Sequence, residues 1–478
     1  MIGILLAAGR GTRMKSLKPK VLFPINGEPL CMGPFRALME TCERIVVVVG
    51  YRGAEVKEAL MAEALGHWDS ATLQQKVNFQ TQEPPRGTGD AVATAIRGLG
   101  KSAHHEKDFI VVNGDLPLIR KQTLERLRKK ATDEKLQSLC LSMFASQPKG
   151  LGRILRSEMG VFEGIREEKD ASPDERKIRE VNGGVYFFSG SYLLKNIENL
   201  KSKNSQNEFY LTDLLGHQKH GEVRSDALVL RQPWDLMGVN TTYELVAARK
   251  LAQSRLQKKW CEEFGVDFLD PATTYVSSKT VFEGDCIVGP GVVFEGRCQI
   301  SKGTTIDGNA YFKDSTIGQE SHILWGSVLD GAIVGANASV GPMAHLRPGS
   351  VLEGNVKVGN FVELKKTTMK KGSKASHLSY LGDAEIGEET NIGCGTITCN
   401  FDGFSKHKTF IGKNSFIGSD SQLVAPVSVG DNSYVASGTT VTEDIPAGAL
   451  AIARANMVVK PGYAKKLSEK LAAHKKNS

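Results

Sequence analysis

From residue 1 to about 235, short apolar runs without polar interruption (2–7, 45–49, 109–112, 139–143 and 185–188) alternate with stretches such as 34–42 and 122–130 of helical periodicity. Runs apolar on both faces predict strands of a largely parallel sheet, and the stretches between them predict covering helices. The first part is therefore expected to be α/β, with glycines at strand ends where a tight turn or a ligand is met. Leu245, Ala248, Ala252, Leu256 and Trp260 then recur at spacings of three and four, with Lys250, Arg255 and Lys258 between them and Asn240-Thr241 offering caps. This predicts an amphipathic helix over 236–262, read equally well as a connector or as the last helix of the first domain.

From about 263 the period changes to six. Val328, Val334, Val340, Leu346, Leu352, Val358 and Leu364 form one series, and Ile411, Ile417, Leu423, Val429, Val435 and Val441 form another. In many repeats glycine follows the apolar residue directly, as at Gly335, Gly341, Gly359 and Gly418. A hexapeptide of this kind supplies one short strand and one sharp turn, and three strands close each coil of a parallel β-helix. Roughly nine coils are expected between 281 and 446, stacked at about 4.8 Å. The spacings from Leu364 to Ile386 and from Ile392 to Ile411 are not multiples of six, so loops are expected to leave the prism in both stretches. Both stretches are rich in polar and titratable groups, and rigid scaffolds commonly carry function on such loops. The expected division is 1–235, 236–262, 263–453 and a basic tail over 454–478.

Composition adds two departures from the average, 50 glycines in 478 residues and a net charge of +8. Of the glycines, 27 lie after residue 264, so the excess belongs mostly to the six-residue repeat. The charge is local too: residues 454–478 carry seven Lys or Arg and one acid, a net +6. A nucleic-acid-binding protein is the reading that basic charge invites, but aromatic interleaving and a nucleic-acid module are both absent from the sequence. No apolar stretch approaches the ~20 residues of a membrane span, and residues 1–7 read as a strand and not a secretory signal. Eight scattered cysteines without metal-like spacing predict reduced thiols and a cytoplasmic protein.

The first strand runs into Leu6-Ala7-Ala8-Gly9-Arg10-Gly11-Thr12-Arg13-Met14, with Pro19-Lys20 after it. A glycine-rich turn exposes backbone N–H groups to phosphate, and Arg13 and Lys20 add the positive charge a triphosphate requires. The string is neither a dinucleotide fingerprint nor a P-loop. Gln82 ahead of Gly87-Thr88-Gly89 offers an amide to a base edge, and Asn113-Gly114-Asp115 places a carboxylate at a strand end. Asp115 with Asn240 supplies two hard oxygen ligands suited to Mg²⁺.

These strings resemble the bacterial bifunctional N-acetylglucosamine-1-phosphate uridyltransferase / glucosamine-1-phosphate acetyltransferase family, and the similarity covers essentially the whole chain. The resemblance implies a Rossmann-like sugar nucleotidyltransferase domain, a linker helix and a left-handed parallel β-helix. It implies that Leu6, Ala7, Ala8 and Gly9 hold uridine and phosphates, Lys20 the phosphates, and Gln82, Gly87 and Thr88 the uracil, beside Asn113, Gly114 and Asp115. Gly152, Glu167 and Asn182 would grip the acetamido sugar, and Asp115 and Asn240 the Mg²⁺. The implied reaction is attack of the sugar-1-phosphate on the α-phosphorus of UTP, carried by positioning and by charge neutralisation from Arg13, Lys20 and the metal.

Acetyl transfer from acetyl-CoA to an amine needs a base, a grip on the acceptor's phosphate and an oxyanion donor. His377 suits the base near neutral pH, and Arg347 and Lys365 suit the phosphate. By the same resemblance Tyr380 and Asn391 contact the sugar, while Cys394, Asn400, Phe401, Ser419, Ser437 and Arg454 line the acetyl-CoA site, with Glu363 as a candidate to orient His377. Cys394 stands where alanine is usual, Phe401 where tyrosine is usual, and Pro85-Arg86 where Gln-Leu is common. The expected protein makes UDP-N-acetylglucosamine from glucosamine-1-phosphate, acetyl-CoA and UTP as a homotrimer. The alternative is a uridyltransferase whose β-helix is purely structural.

Overall fold

A computed structural model describes residues 1–216 and 223–476, so part of the first domain (217–222) and the last two residues of the tail lie outside the described residues. The chain divides into two compact units, Met1–Leu256 and Gln257–Ser478.

The first unit is built on a mixed sheet. In spatial order its main strands are Val77–Thr81, Arg44–Val49, Ile2–Ala7, Asp108–Asn113, Glu180–Ser189, Ser138–Phe144 and Ser225–Val229. All are parallel to their neighbours except Glu180–Ser189, which runs against both of its own. The central strand shows why the runs carry no alternation: Leu5 and Ala7 enter one core while Ile2 and Ile4 enter the other. Helices Met32–Thr41, Gly53–Ala64 and Lys121–Asp133 supply the first core, and Thr88–Leu99 and Gly190–Asn196 supply the second. Strand order reverses at Ile2–Ala7, with Arg44–Val49 on one side and Asp108–Asn113 on the other, and a ligand crevice is expected at such a switch point.

The long helix Thr242–Phe264 opens with a capping box: Thr241 Oγ1 accepts from Glu244 N at 3.2 Å, while Glu244 Oε2 accepts from Asn240 N at 2.7 Å and from Thr241 N at 2.8 Å. The box fixes the backbone of Asn240. Leu245, Ala248 and Ala252 pack with Met14, Leu30, Leu118 and Val239 in the first unit. In the second unit Trp260 packs on Phe282, with ring centroids 5.4 Å apart.

The second unit is a left-handed parallel β-helix whose three faces are sheets of 11, 10 and 9 strands. Its strands run from Asp267–Phe268 to Leu450–Ala451, so coils extend beyond both expected ends. Each strand sends one apolar side chain inward, and Phe282, Phe294 and Phe312 stack along the first coils. Buried Ser and Thr occupy the corners, where hydroxyls such as those of Ser321 and Thr367 donate to carbonyls of the next coil. One inward position differs from the expected series, since Leu329 is buried and Val328 lies outside.

The two breaks in period turn out to be unlike. Between 364 and 386 no loop leaves the prism, because Met369, Ala375 and Leu381 fill the interior and two of the steps, Leu364 to Met369 and Leu381 to Ile386, are each one residue short of six. The second break is a real insertion: Asn391 pairs with Phe416, 25 residues on, and the surplus forms a small hairpin closed by Phe401 and Lys406.

Candidate functional sites

At the switch point the chain encloses a cavity of about 320 Å³. Leu6, Ala8, Gly9, Lys20, Gln82, Gly87, Thr88, Asn113 and Asp115 line it, together with Pro85, which the sequence marked only as a departure from the usual residue, and Val21, Ala91 and Glu208, which sequence reasoning missed. Most come from the carboxyl ends of parallel strands, the segments that follow them, or the start of Thr88–Leu99, while Glu208 comes from the segment between Gly190–Asn196 and Ser225–Val229. Ala7 is buried beneath the cavity, and Gly114 donates its N–H to Leu6 O at 2.8 Å, tying the two central strand ends together. Gly87 needs its glycine: with φ +105° a Cβ would stand 2.6 Å from Phe209 O. Gly9 faces open space, which suits the close approach of a phosphate.

Four predicted residues meet at one side. Lys20 Nζ lies 2.6 Å from Asp115 Oδ2 and 3.1 Å from Asn240 Oδ1, and Arg13 Nη2 lies 2.8 Å from that same Asn240 oxygen. Two hard oxygens converge on a single cation, the donor set that Mg²⁺ prefers alongside substrate phosphates. The Glu28, Glu63 and His67 cluster of the first unit also holds a chain cation, Arg36, whose Nη2 reaches both oxygens of Glu28 at 2.8 and 2.9 Å.

Gly152, Glu167 and Asn182 also come together. A Cβ on Gly152 would lie 3.4 Å from Glu167 Oε2 and 3.5 Å from Asn182 Cβ. Asn182 Oδ1 accepts from Gly184 N, and Gly184 packs on the Asn113 amide, which joins this group to the cavity wall. Burial pushes the Glu167 carboxyl above its ordinary pKa, against a hydrogen bond from Thr212 Oγ1 at 3.0 Å.

In the second unit the parallel register aligns one corner of the prism. Asn360 pairs with His377, and the same register continued sets Cys394, Ser419 and Ser437 below it in successive coils. Arg454 closes the column, donating Nη1–H to Ser437 O at 2.9 Å. At about 4.8 Å per coil this makes an extended edge with His377 near one end. Past the corner, Arg347, Lys365 and Gly382 form a second column beside Glu363 and Tyr380. Asn391 lies on the face before the corner, under Lys374.

Glu363 does not orient His377, since its Oε1 takes Arg347 Nη1 at 2.8 Å. Asn360 does so: its Oδ1 lies 2.9 Å from His377 Nδ1. Lys406 is a second residue that sequence reasoning missed. Its charge beside Lys365, then burial and the Arg347 guanidinium, hold that lysine below its ordinary pKa, while Asp383 pulls the other way. Three cations crowded in this way create a site for an anion. Phe401 keeps an aromatic face for a cation, with Lys406 Nζ 5.7 Å from its ring centroid. Asn400 Nδ2 donates to Asp383 Oδ2 at 2.5 Å, and Asp402 ties the hairpin through Phe404 N, Ser405 N and His407 Nε2.

An open α/β sheet with a phosphate turn at its switch point, joined to a hexapeptide prism with a histidine at its corner, defines a nucleotidyltransferase coupled to an acyltransferase. Residues 3–205 match the MobA-like NTP transferase domain, and residues 408–443 match the bacterial transferase hexapeptide of six repeats. The bifunctional protein GlmU of Pelobacter propionicus is 42% identical over 468 residues, 98% of each chain. Its counterparts in Syntrophotalea carbinolica (42%, 96% of each chain) and Trichlorobacter lovleyi (43%, 96% of this chain and 97% of the other) are equally similar. The chain belongs to the family of the bifunctional protein GlmU. It is a uridylyltransferase and acetyltransferase that makes UDP-N-acetylglucosamine, using UTP and acetyl-CoA. No described helix is long and apolar enough to cross a membrane.

Proposed function

We propose that the two reactions are divided between the two sites, uridylyl transfer at the switch-point cavity of 1–235 and acetyl transfer along the corner column of 263–453, with 236–262 as linker and 454–478 as a basic tail. The observation that carries this division is the pair of separate cation clusters, Arg13 and Lys20 in one unit and Arg347, Lys365 and Lys406 in the other.

In the acetyl site His377 takes the proton of the glucosamine-1-phosphate amine on Nε2, because Nδ1 donates to Asn360. The amine nitrogen bonds to the thioester carbonyl, the C–S bond breaks, and CoA leaves as the thiol. Arg347, Lys365 and Lys406 hold the phosphate, and Tyr380 and Asn391 hold the sugar. Cys394, Asn400, Phe401, Ser419, Ser437 and Arg454 form the acetyl-CoA wall. Such a base is worth ~10² to 10⁴ in rate.

In the uridylyl site the phosphate oxygen of N-acetylglucosamine-1-phosphate attacks the α-phosphorus of UTP and pyrophosphate leaves. Gly152, Glu167 and Asn182 orient the sugar, Gln82, Gly87 and Thr88 the base, and Leu6 to Gly9 with Asn113 the nucleoside and phosphates. Asp115 Oδ2 and Asn240 Oδ1 would hold Mg²⁺, which supplies neutralisation of the phosphate charge when bound. Arg13 and Lys20 neutralise the rest.

The protein is proposed to act as a cytoplasmic homotrimer. Eight free cysteines support a reducing compartment. Met343, Phe361 and Leu378 stack on the His377 corner in left-handed backbone (φ 54°, 55° and 40°), all of them exposed, with Trp325 beside them. Bulky apolar residues held in strained conformations on an open edge favour contact with a second copy. A copy on that edge would also bring its own faces to the split pair of Asn391 and Tyr380.

The test is a pair of assays on the full chain, CoA release with glucosamine-1-phosphate and pyrophosphate release with UTP and N-acetylglucosamine-1-phosphate. Asp115→Ala should abolish the second and spare the first, and His377→Ala should do the reverse. Loss of both activities in a folded variant would refute the division.

A further inference from the structure

Gln82 Nε2 carries two hydrogens, and both are used inside the protein: one goes to Gly87 O at 3.0 Å and the other to Asp90 Oδ2 at 2.8 Å. The amide cannot be turned over, since Oε1 would then face a carbonyl and a carboxylate at hydrogen-bond distance. Oε1 takes no hydrogen bond from the described residues, and Gln82, although 5% exposed, borders the cavity. Its free polar atom there is an acceptor.

Asp90 is fixed in turn. It is buried, and its Oδ1 accepts from Arg86 Nη2 at 2.7 Å, with Arg97 Nη2 at 3.6 Å. Burial works against its charge, but the bonds from Gln82 and Arg86 and the two guanidinium charges outweigh burial, so it titrates below the ordinary carboxylate range. An ionised carboxylate has no proton to give and accepts only. The Arg86 guanidinium also lies over the Phe209 ring at 5.8 Å, which braces it from the other side.

We propose that Asp90, held by Arg86, is a positioning residue that sets the base specificity of the nucleotide site by keeping the Gln82 acceptor turned toward the base. Uracil presents N3–H, a donor, to that acceptor. Cytosine presents an unprotonated N3, so two lone pairs meet. The inference rests on the reading that this cavity holds uridine with Gln82 at the base.

The experiment measures kcat and KM for UTP and for CTP in the full chain. In Asp90→Asn, Arg86 still claims the side-chain oxygen, so the new NH₂ faces Gln82 Nε2; either amide orientation then meets one repulsive contact, with that NH₂ or with Gly87 O, and the acceptor is no longer fixed toward the base. The expected result is a tenfold or greater rise in KM for UTP, kcat at saturation within about threefold, and a fall in the UTP-over-CTP ratio of kcat/KM of about 100-fold, part of the ~10⁴ to 10⁵ that a hydrogen-bonding site can supply. Arg86→Leu leaves the carboxylate in place and should keep the ratio within about fivefold. Asp90→Ala, read by the same ratio, serves if D90N does not fold. An unchanged ratio in the folded Asp90 variant overturns the proposal, whatever happens to kcat. Gln82→Leu separates the two readings: if it too leaves the ratio unchanged, Gln82 is not at the base, and if it alone collapses the ratio, only the role of Asp90 fails.

Discussion

Nδ1 of His377 lies 2.9 Å from Oδ1 of Asn360, its partner in the preceding coil. An amide oxygen only accepts, so the ring proton is kept on Nδ1 and Nε2 is left as the basic nitrogen. Asn360→Ala should therefore lower kcat for acetyl transfer by about 10- to 100-fold with little change in KM for acetyl-CoA. Asn360→Asp should restore much of the rate, because a carboxylate also accepts. Its negative charge favours the imidazolium, so the acid limb of the kcat profile should move to higher pH. Steady-state kinetics across pH for the two variants check both effects.

Gly382 is fixed by its neighbours and not by its backbone. A Cβ there would stand 2.5 Å from Tyr380 Oη and 2.7 Å from Asn400 Nδ2. Gly382→Ala should displace both side chains, raising KM for glucosamine-1-phosphate and acetyl-CoA together while pyrophosphate release stays normal. The stability cost is that of a modest overpacking, about 1–3 kcal/mol by denaturant unfolding.

Both architectures are legible in the sequence because each writes its own period: continuous apolar runs where a sheet is covered on both faces, and a residue in six where a prism has one interior. The phase is harder. Coils one residue short broke the series at Leu364 and imitated a loop, although Met369, Ala375 and Leu381 keep the interior filled. The sites follow the same rule. Strings such as those around Gly9 and His377 mark a turn after a strand and a corner of the prism, the proposed places of chemistry, but Asn360 above His377 and Lys406 beside Lys365 are 17 and 41 positions away. Only the register of the coils and the fold of the inserted hairpin bring them together. Asp90 was hidden differently: it sits one residue past the Gly87-Thr88-Gly89 motif as an unremarked helix residue, and its meaning lies in the Gln82 amide it accepts from.

The crowding of Lys365 by Lys406 predicts proton uptake. Lys406, then burial and Arg347, hold the Lys365 ammonium below its ordinary pKa, so part of it is neutral on the alkaline side. A phosphate bound among these cations favours the charged form and draws a proton from solution. Calorimetry of glucosamine-1-phosphate binding at about pH 9 in buffers of different ionisation enthalpy should show net uptake. In Lys406→Ala the uptake should shrink, since the free lysine is then charged already. An equal uptake in that variant would assign the proton elsewhere.

Glu167 predicts the opposite limb. Burial raises its pKa and outweighs the Thr212 bond, so on acidification it protonates at a higher pH than an exposed glutamate. In its proposed role a carboxylate accepts from sugar hydroxyl or amide groups, and protonation removes that capacity. KM for N-acetylglucosamine-1-phosphate should rise as pH falls, beginning above the usual glutamate range, while KM for UTP stays flat. Glu167→Gln should show a raised KM without this acid limb.

Lys20 offers the sharpest contrast between a bound and a free site. Its ammonium sits between Asp115 Oδ2 and Asn240 Oδ1, where a divalent cation would bind, with Arg13 on the same Asn240 oxygen. A dication must displace that ammonium, whose charge is then free for phosphate. The lysine thus opposes metal binding in the absence of nucleotide and favours nucleotide once the metal is in place. Lys20→Ala should therefore bind Mn²⁺ more tightly than the parent chain in the absence of nucleotide, read by electron paramagnetic resonance, while its KM for UTP rises and uridylyl transfer slows by about 10²-fold or more. Asp115→Ala should lose the bound Mn²⁺ and the transfer alike. Weaker metal binding in Lys20→Ala would mean that the lysine helps to organise the ligand oxygens and does not compete for them.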